Sequence, residues 1–244
     1  MSEEQTLQKL RALRLAGMAD AFQAYLNFGP ADKRSPAEVL SQLADAEWDT
    51  RINRRTDRLL KKARLRVQAS FEALRYSPER NLERTAVHAL TGEQWLHSGS
   101  TVLITGATGA GKSFLACAIG RHACLTGVPT RYEQAPKFFP KLKQCRGDGT
   151  YRREIDRIAA TPLLIIDDFG LLAMDTDDRI TLLEVLEDRY ARAATVIASQ
   201  LPVAKWHGCI GDPTIADAVM DRLAHTPFIF ELKGGSLRKA RNLT

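Results

Sequence analysis

A glycine-rich segment that ends in lysine and serine carries the clearest chemical pattern in the chain. Residues 106–113 read GATGAGKS and match G-x-x-x-x-G-K-[ST] at every fixed position. A β-branched run (101–105) precedes the segment and a helical pattern (114–125) follows it, so backbone N–H groups can fold around phosphates at a helix N-terminus. There Lys112 would neutralise the β- and γ-phosphates of a nucleoside triphosphate, and the Ser113 hydroxyl would ligate Mg²⁺. The predicted phosphate-binding residues are Gly106, Ala107, Thr108, Gly109, Ala110, Gly111, Lys112 and Ser113.

Two aspartates complete the predicted site. Residues 163–166 are apolar and lead into Asp167 and Asp168. Such a pair can simply begin a turn, and Phe169-Gly170 follows here, but the glycine-rich segment upstream favours a catalytic role. Asp167 is predicted to hold Mg²⁺ through water, and Asp168 to polarise the attacking water. The two patterns together predict binding of a nucleoside triphosphate.

Two further polar residues are weaker candidates for the same site. Gln200 follows an apolar run, where its side chain can reach a γ-phosphate, although any strand must end in something polar. Arg222 lies in an amphipathic pattern, DAVMDRLAH, beside Asp221. A surface ion pair is the ordinary interpretation of such an arginine. The alternative is an arginine finger presented to the γ-phosphate of a neighbouring subunit.

Positive charge is concentrated in one short segment. Residues 51–66 hold eight bases and one acid, Asp57, whereas the whole chain has a net charge of +6. A solvated helix face would interleave more acids, and insertion into acidic lipid would need a bulky apolar stripe, so contact with nucleic-acid phosphates is favoured. The bases are Arg51, Arg54, Arg55, Arg58, Lys61, Lys62, Arg64 and Arg66. The apolar residues predicted to pack away from them are Ile52, Leu59, Leu60, Ala63 and Val67.

Length and composition are those of a globular protein. The chain has 244 residues, 44% hydrophobic and 26% charged, which fits one large α/β domain or a standard domain with a small appendage. No apolar run reaches the about 18 residues of a membrane span, and the first residues carry no export signal. Four cysteines without a C-x-x-C pair are expected to be reduced, so a cytoplasmic protein is expected.

The first part of the chain has helical patterns only. An apolar stripe of period 3.6 from Leu7 to Leu26 predicts one helix, which Phe28-Gly29-Pro30 is expected to end. Ser35, Pro36 and Glu38 then predict the start of a second helix with a capping box, which runs through the basic segment for about 30 residues. A small helical domain over residues 1–68 is therefore predicted.

The remainder, residues 69–244, alternates strand and helix patterns from residue 100 onward. The predicted strands are 101–105, 129–132, 162–168, 194–200 and 228–232, and the predicted helices are 114–125, 135–145, 150–160, 181–192 and 215–225. This alternation predicts an α/β domain with a doubly wound parallel sheet. Its ligand is expected at the carboxyl ends of the strands.

A set of motifs in one order resembles a known family. GATGAGKS, LLIIDDFG, ASQLPVAKW, GDPTIADAVMDRL and GGSLRK, with LRLAGMADAF in the helical front, resemble the IstB-type transposition helper ATPases. That family is related to the DnaC-type helicase loaders within the AAA+ class, and the likeness covers most of the chain.

The resemblance implies an AAA+ ATPase that uses ATP and Mg²⁺, with a reduced or missing lid. Such proteins form homo-oligomers on duplex DNA, deform it and help a DDE transposase engage its target. Gln200 would then be a sensor, Arg222 a finger acting in trans, and Arg238 a remnant of a second, nucleotide-binding sensor. The resemblance also implies a second basic surface, made of Lys137, Lys141, Lys143, Arg146, Arg152 and Arg153. No base-reading motif is visible, so little sequence preference is expected.

One residue departs from the family pattern. Asp168 stands where most AAA+ proteins have glutamate, and its carboxylate is set back by about a bond length, which predicts slow turnover with ATP as an assembly switch. Three alternatives stay open. They are a helicase loader in DNA replication, a non-enzymatic clamp in which ATP joins subunits around DNA, and, least favoured, a small-molecule kinase.

Overall fold

The computed structural model describes residues 2–28, 34–224 and 227–237. The chain divides into two compact units, Met1–Arg58 and Leu59–Thr244, whereas the sequence patterns placed a domain boundary between residues 68 and 69. Leu65 and Ala69 pack in the hydrophobic core of the second unit, which is why the residues just after Arg58 group with that unit.

The first unit is helical, as expected, but its first helix is interrupted. Helix α1 covers Glu3–Ala12 and helix α2 covers Ala16–Phe28. Arg14, between them, has a left-handed backbone with φ of 60°, and a left-handed residue ends a helix. The prediction of one continuous helix was wrong because the apolar stripe keeps its period across the break.

The long basic helix begins where the sequence predicts. Helix α3 covers Pro36–Ala63, 28 residues. The Glu38 N–H donates to the Ser35 hydroxyl (3.3 Å), and the Ser35 N–H donates to the Glu38 carboxylate (2.6 Å), so the capping box is confirmed. Two apolar positions differ from expectation, because Ile52 and Val67 remain 44% and 37% exposed.

The second unit contains a sheet of five strands, which are β1 (Thr101–Gly106), β2 (Thr130–Gln134), β3 (Leu163–Phe169), β4 (Ala194–Ser199) and β5 (Phe228–Leu232). Their order in the sheet is β2-β3-β4-β1-β5, and every neighbouring pair is parallel. The helices are α4 (Arg84–His88), α5 (Gln94–His97), α6 (Lys112–Leu125), α7 (Ala135–Gly147), α8 (Tyr151–Ala159), α9 (Thr176–Arg189), α10 (Trp206–Ile210) and α11 (Pro213–Leu223).

Each central strand is buried on both faces. Along β3, Leu163 and Ile165 pack in one core cluster, and Leu164 and Ile166 pack in the other. Successive side chains of a strand point to opposite faces, so a continuous apolar run implies helices on both sides. The predicted doubly wound α/β sheet is confirmed.

The segment between α3 and β1 was left unassigned by the sequence patterns. It contains a 3₁₀ turn (Pro78–Arg80) besides α4 and α5, and it adds Phe71, Leu82 and Trp95 to one of the two cores. These elements have only three to five residues, which is too few to show a recognisable apolar period in the sequence.

Two further comparisons with expectation concern element ends. Helix α9 begins at Thr176, earlier than predicted, because Asp175 and Asp178 form a capping box. In the described residues after β5, up to Leu237, no helix follows. Within residues 2–28, 34–224 and 227–237, no helix combines the length and apolarity needed to cross a membrane.

Candidate nucleotide site and basic surfaces

The sheet order brings the predicted site residues to one edge. Strand β1 lies between β4 and β5, and β4 lies between β1 and β3. The carboxyl ends of parallel strands meet at one edge, so the loop after β1, Gln200 after β4 and Asp168 near the end of β3 come together. They line a cavity of about 360 Å³. Its polar wall includes Thr108, Lys112, Ser113, Asp168, Gln200 and Arg66.

The loop after β1 has a backbone that its glycines make possible. Gly106 and Gly109 have φ of 144° and 84°, which side chains other than glycine rarely allow. A Cβ on Gly106 would lie 2.3 Å from the Leu232 carbonyl oxygen. Lys112 opens α6, is 6% exposed, and donates from Nζ to the Ala107 carbonyl oxygen at 3.0 Å.

Asp167 is completely buried and held by two hydrogen bonds. Its Oδ1 accepts the Asp168 N–H at 2.9 Å, and its Oδ2 accepts the Tyr132 hydroxyl at 2.5 Å. Burial and then this hydrogen bond raise the pKa of Tyr132 far above its usual range. Tyr132 was missed by the sequence analysis, because only the pairing of β2 with β3 places it beside the aspartate.

Asp168 combines an unusual backbone with an ion pair. Its φ is 58°, and the register between β3 and β4 shifts between Ile166 and Phe169. Such irregularities turn a side chain to a new direction, and aspartate tolerates this conformation better than most residues. The Arg66 Nη1 lies 2.9 Å from the Asp168 Oδ2 and 3.7 Å from the Asp167 Oδ2.

Arg66 stays charged in this setting. Burial by itself lowers its pKa, but the hydroxyl of Tyr132 and the two carboxylates outweigh this effect, so the pKa of Arg66 is raised. The sequence analysis counted Arg66 among the basic residues without placing it in the nucleotide site. Only the fold reveals the contact, because Arg66 and Asp168 are 102 positions apart.

Gln200 contacts the glycine-rich loop directly. Its Oε1 accepts the Thr108 hydroxyl at 2.8 Å. The strand-end glutamine and the phosphate loop therefore meet, as a sensor position requires, although a role in sensing stays a prediction.

Part of the cavity wall is apolar. Val67, Leu74, Leu82 and Leu232 line it, which suits the flat face of a nucleobase. Arg80 donates from Nη2 to the Ala110 carbonyl oxygen at 2.8 Å and so ties this wall to the phosphate loop. No local pattern pointed to Leu74, Arg80 and Leu82, since they lie in the segment that was left unassigned, whereas Leu232 lies in a predicted strand.

The segment that follows β5 also contacts the glycine-rich loop after β1. The Leu237 N–H donates to the Gly109 carbonyl oxygen at 3.0 Å, and Leu237 is the last described residue. Arg238, predicted to bind nucleotide, lies outside the described residues.

The donor set fits Mg²⁺. Mg²⁺ prefers hard oxygen ligands and is usually held by one or two carboxylates together with substrate phosphates and water. Ser113 lies in the first turn of α6 and supplies a hydroxyl, and Asp167 supplies a carboxylate with lone pairs beyond its two hydrogen bonds. Among the described residues, no group of three or more His, Cys, Asp or Glu could hold a metal ion alone.

Arg222 lies on α11 and is ion-paired within its own subunit. Its Nε contacts the Glu187 Oε2 at 2.7 Å, and its Nη1 contacts the Asp221 Oδ2 at 3.1 Å. Arg222 does not line the cavity of its own chain. The surface ion pair is therefore present, and an action on a neighbouring site stays a prediction.

The basic face of α3 carries few acidic partners. Arg51 pairs with Glu47 at 2.7 Å. Four further bases are exposed and form no ion pair with any residue that the structure describes. They are Arg54, Arg58, Lys61 and Lys62. Arg55 is also exposed and has an interaction of its own.

The second predicted basic surface is largely neutralised. Lys141 pairs with Glu154 at 2.8 Å, Lys143 pairs with Asp175, and Arg152 pairs with Asp156 at 3.0 Å. Burial raises the pKa of Glu154, but hydrogen bonds from Lys141 and Arg131 outweigh this and lower it to about 2. Arg146 stacks on the Tyr151 ring at 3.9 Å. Lys137 and Arg153 are exposed.

Comparison of the fold finds similar solved structures for about two thirds of this chain. Replication initiator DnaA bound to AMPPCP and single-stranded DNA is similar with a TM-score of 0.59 and 19% identity, over 70% of this chain and 52% of that chain. The helicase loader DnaC gives a TM-score of 0.56 at 14% identity, over 66% and 96%. These likenesses show the fold of AAA+ P-loop domains.

Comparison of the sequence reaches nearly the whole chain. The insertion-sequence ATP-binding protein y4pL of Sinorhizobium fredii is 43% identical over 234 residues, which are 96% of this chain and 96% of that protein. The ATP-binding protein of insertion sequence IS1162 from Pseudomonas fluorescens is 36% identical over 203 residues, 83% and 88% of the two chains. A family model described as IstB-like ATP binding protein matches residues 8–244. This chain therefore belongs to the IstB-like ATP binding protein family and is an AAA+ P-loop ATPase.

Proposed function

We propose that this ATPase binds duplex DNA, assembles on it with ATP and Mg²⁺, and helps a DDE transposase engage target DNA during transposition. The insertion-sequence context of relatives that align along almost their whole length supports a role in transposition. The observation that carries the DNA part is the face of α3 that holds Arg54, Arg58, Lys61 and Lys62, because these exposed bases lack acidic partners among the described residues.

The contrast between the two basic surfaces supports this choice. A base that is already paired with a carboxylate must break that pair before it can bind a phosphate. Lys141, Lys143 and Arg152 are paired in this way, whereas the bases of α3 named above are available. We therefore assign the primary DNA contact to α3.

The nucleotide site has a division of labour in this proposal. Lys112 neutralises the β- and γ-phosphates, Ser113 and Asp167 hold Mg²⁺, and Asp168 orients the attacking water. Mg²⁺, when bound, supplies charge neutralisation on the phosphates. Gln200, at the end of β4, contacts the γ-phosphate and so senses whether ATP is bound. Arg222 of one subunit contacts the γ-phosphate bound by its neighbour.

DNA binding can be tested with two matched variants. Replacing Arg54, Arg58, Lys61 and Lys62 by alanine should weaken binding to all duplex sequences alike, since phosphate contacts carry no sequence information. For the unaltered protein, a plot of the logarithm of the binding constant against the logarithm of the salt concentration should have a slope of roughly −4 to −5. The magnitude of the variant's slope should be smaller by about 0.9 for each phosphate contact that is lost. Fluorescence anisotropy at several salt concentrations measures both quantities.

The control replaces Lys141, Lys143, Arg146 and Arg152 by alanine and removes the same charge. It should bind DNA almost as the unaltered protein does. If the control loses binding while the α3 variant keeps it, DNA is held by the second surface and the assignment is wrong.

The helicase-loader alternative receives no specific support. Its likeness lies in the fold at 14% identity, whereas the relatives that match at 36% to 43% are proteins of insertion sequences.

A further inference from the structure

One arginine in the nucleotide site has no role in the scheme above. Arg66 lines the cavity together with Lys112 and Ser113, and its Nη1 lies 2.9 Å from the Asp168 Oδ2. Its side chain is 38% exposed and that of Asp168 is 21% exposed. The contact therefore stands at the mouth of the site, where it can open without disturbing the core.

The ion pair affects what the Asp168 carboxylate can do. To orient a water for attack, a carboxylate must direct a lone pair at that water. An oxygen that already accepts a charged hydrogen bond from a guanidinium is turned toward the arginine and is a poorer acceptor for water. The left-handed backbone at Asp168 sets the direction in which its side chain leaves the main chain. The ion pair with Arg66 then sets the position of the carboxylate.

Arg66 lies close in the chain to the basic end of α3, so binding at that end can break the contact between Arg66 and Asp168. Helix α3 ends at Ala63, Arg64 has a left-handed backbone with φ of 54°, and Leu65 is anchored in the core. Arg66 thus follows the basic end of α3 by three residues, a span of at most about 11 Å. Lys61 and Lys62, two of the proposed DNA contacts, are in the last turn of that helix.

We propose that Arg66 is a positioning residue that holds the Asp168 carboxylate in a resting orientation, and that a polyanion bound at the end of α3 releases it. This inference rests on the proposed roles of Asp168 in hydrolysis and of α3 in DNA binding. The Arg66 guanidinium also lies 3.7 Å from the Asp167 Oδ2, so a Mg²⁺ ion held by Asp167 would weaken the hold of Arg66 on this acidic pair without replacing the release by DNA.

The test compares ATP hydrolysis with and without duplex DNA for the unaltered protein, Arg66→Ala, Arg66→Gln and Arg66→Lys. Without DNA, the alanine and glutamine variants should raise kcat by about two- to five-fold, the range expected for loss of a partly exposed ion pair. KM for ATP should stay within about two-fold, since the contact is to Asp168 and not to the nucleotide. The stimulation by DNA should fall by the same factor.

The lysine variant and a distant control complete the design. Arg66→Lys keeps the charge and should restore most of the restraint on kcat, which a purely structural role would not predict. Arg192→Ala removes an exposed arginine that follows α9 and should behave as the unaltered protein. Thermal melting and affinity for a non-hydrolysable ATP analogue verify folding. If Arg66→Ala fails to fold, Arg66→Gln, which keeps the stem, decides by the same criteria.

The contradicting outcomes are distinct. If the unaltered protein hydrolyses ATP with DNA stimulation but Arg66→Ala and Arg66→Gln are equally slow or slower without DNA, Arg66 does not restrain Asp168 and only this inference fails. If the unaltered protein hydrolyses no ATP, or DNA does not stimulate it, the proposed function fails as well.

Discussion

At the scale of single residues, the site is defined by how two adjacent aspartates differ. Asp167 is completely buried and fixed by Tyr132, whereas Asp168 is partly exposed, left-handed and paired with Arg66. A fixed carboxylate suits a metal ligand, because a second hydrogen-bond partner orients it. A carboxylate that can change partner suits the activation of water. The short Asp168 side chain still predicts slow turnover.

Asp168→Asn tests this division directly. The amide cannot take a proton or orient water as a carboxylate does, so hydrolysis should fall by about 100-fold or more. Affinity for ATP should remain, since Lys112 and the glycine-rich loop are untouched. Phosphate release and nucleotide affinity measure the two effects, with the exposed Asp20→Asn as a control. Unchanged hydrolysis in Asp168→Asn would remove Asp168 from the mechanism.

At the scale of elements, the glycine-rich loop and the two aspartates were predictable because each is a local pattern beside a strand. Tyr132 and Arg66 were not, because their contacts depend on which strands are neighbours and on where the chain runs after α3. The break at Arg14 was missed for a related reason, since an apolar stripe records burial and not continuity of the helix.

Helices α7 and α8 are joined to β2 through one acid. Glu154 on α8 accepts hydrogen bonds from Lys141 on α7 and from Arg131 on β2, at 2.8 and 2.7 Å. Its folded pKa, about 2, is below its ordinary value of 4.5. A lowered folded pKa gives stability that is present above about pH 4.5 and is lost as the pH falls toward 2.

Glu154→Gln should therefore lower the free energy of unfolding at pH 7 by roughly 2–3 kcal/mol. The difference between the variant and the unaltered protein should shrink as the pH falls from 5 to 3. Urea unfolding at several pH values measures it, and the exposed Glu79→Gln should show no comparable loss. A difference that stays constant down to pH 3 would contradict the lowered pKa.

At the scale of the whole molecule, the proposed role of Arg222 requires several subunits. Arg222 is paired with Glu187 and Asp221 and does not line the cavity of its own chain. In the proposed assembly, it leaves these partners and meets the γ-phosphate bound by the next subunit. The partners are exposed acids, so the exchange replaces one solvated ion pair by a stronger contact with phosphate.

Mixing two inactive variants tests action in trans. Asp168→Asn should be nearly inactive because its attacking water is not oriented, but it keeps its affinity for ATP and can assemble. Arg222→Ala should lose about 1,000-fold or more because the finger is missing. In an equal mixture, Asp168→Asn subunits can lend their arginine to Arg222→Ala neighbours. Roughly a quarter of the unaltered rate should return if subunits assemble at random. A mixture as inactive as its components would show that Arg222 does not act in trans.

In the proposed mechanism, ATP and DNA together build the active assembly. The most direct measurement is the particle mass in solution with Mg²⁺, in the presence of ATP, of a duplex several helical turns long, or of both. We expect a large, defined assembly only when both are present, and no such assembly for the variant of Arg54, Arg58, Lys61 and Lys62. A monomer under all conditions would rule out assembly driven by ATP and DNA.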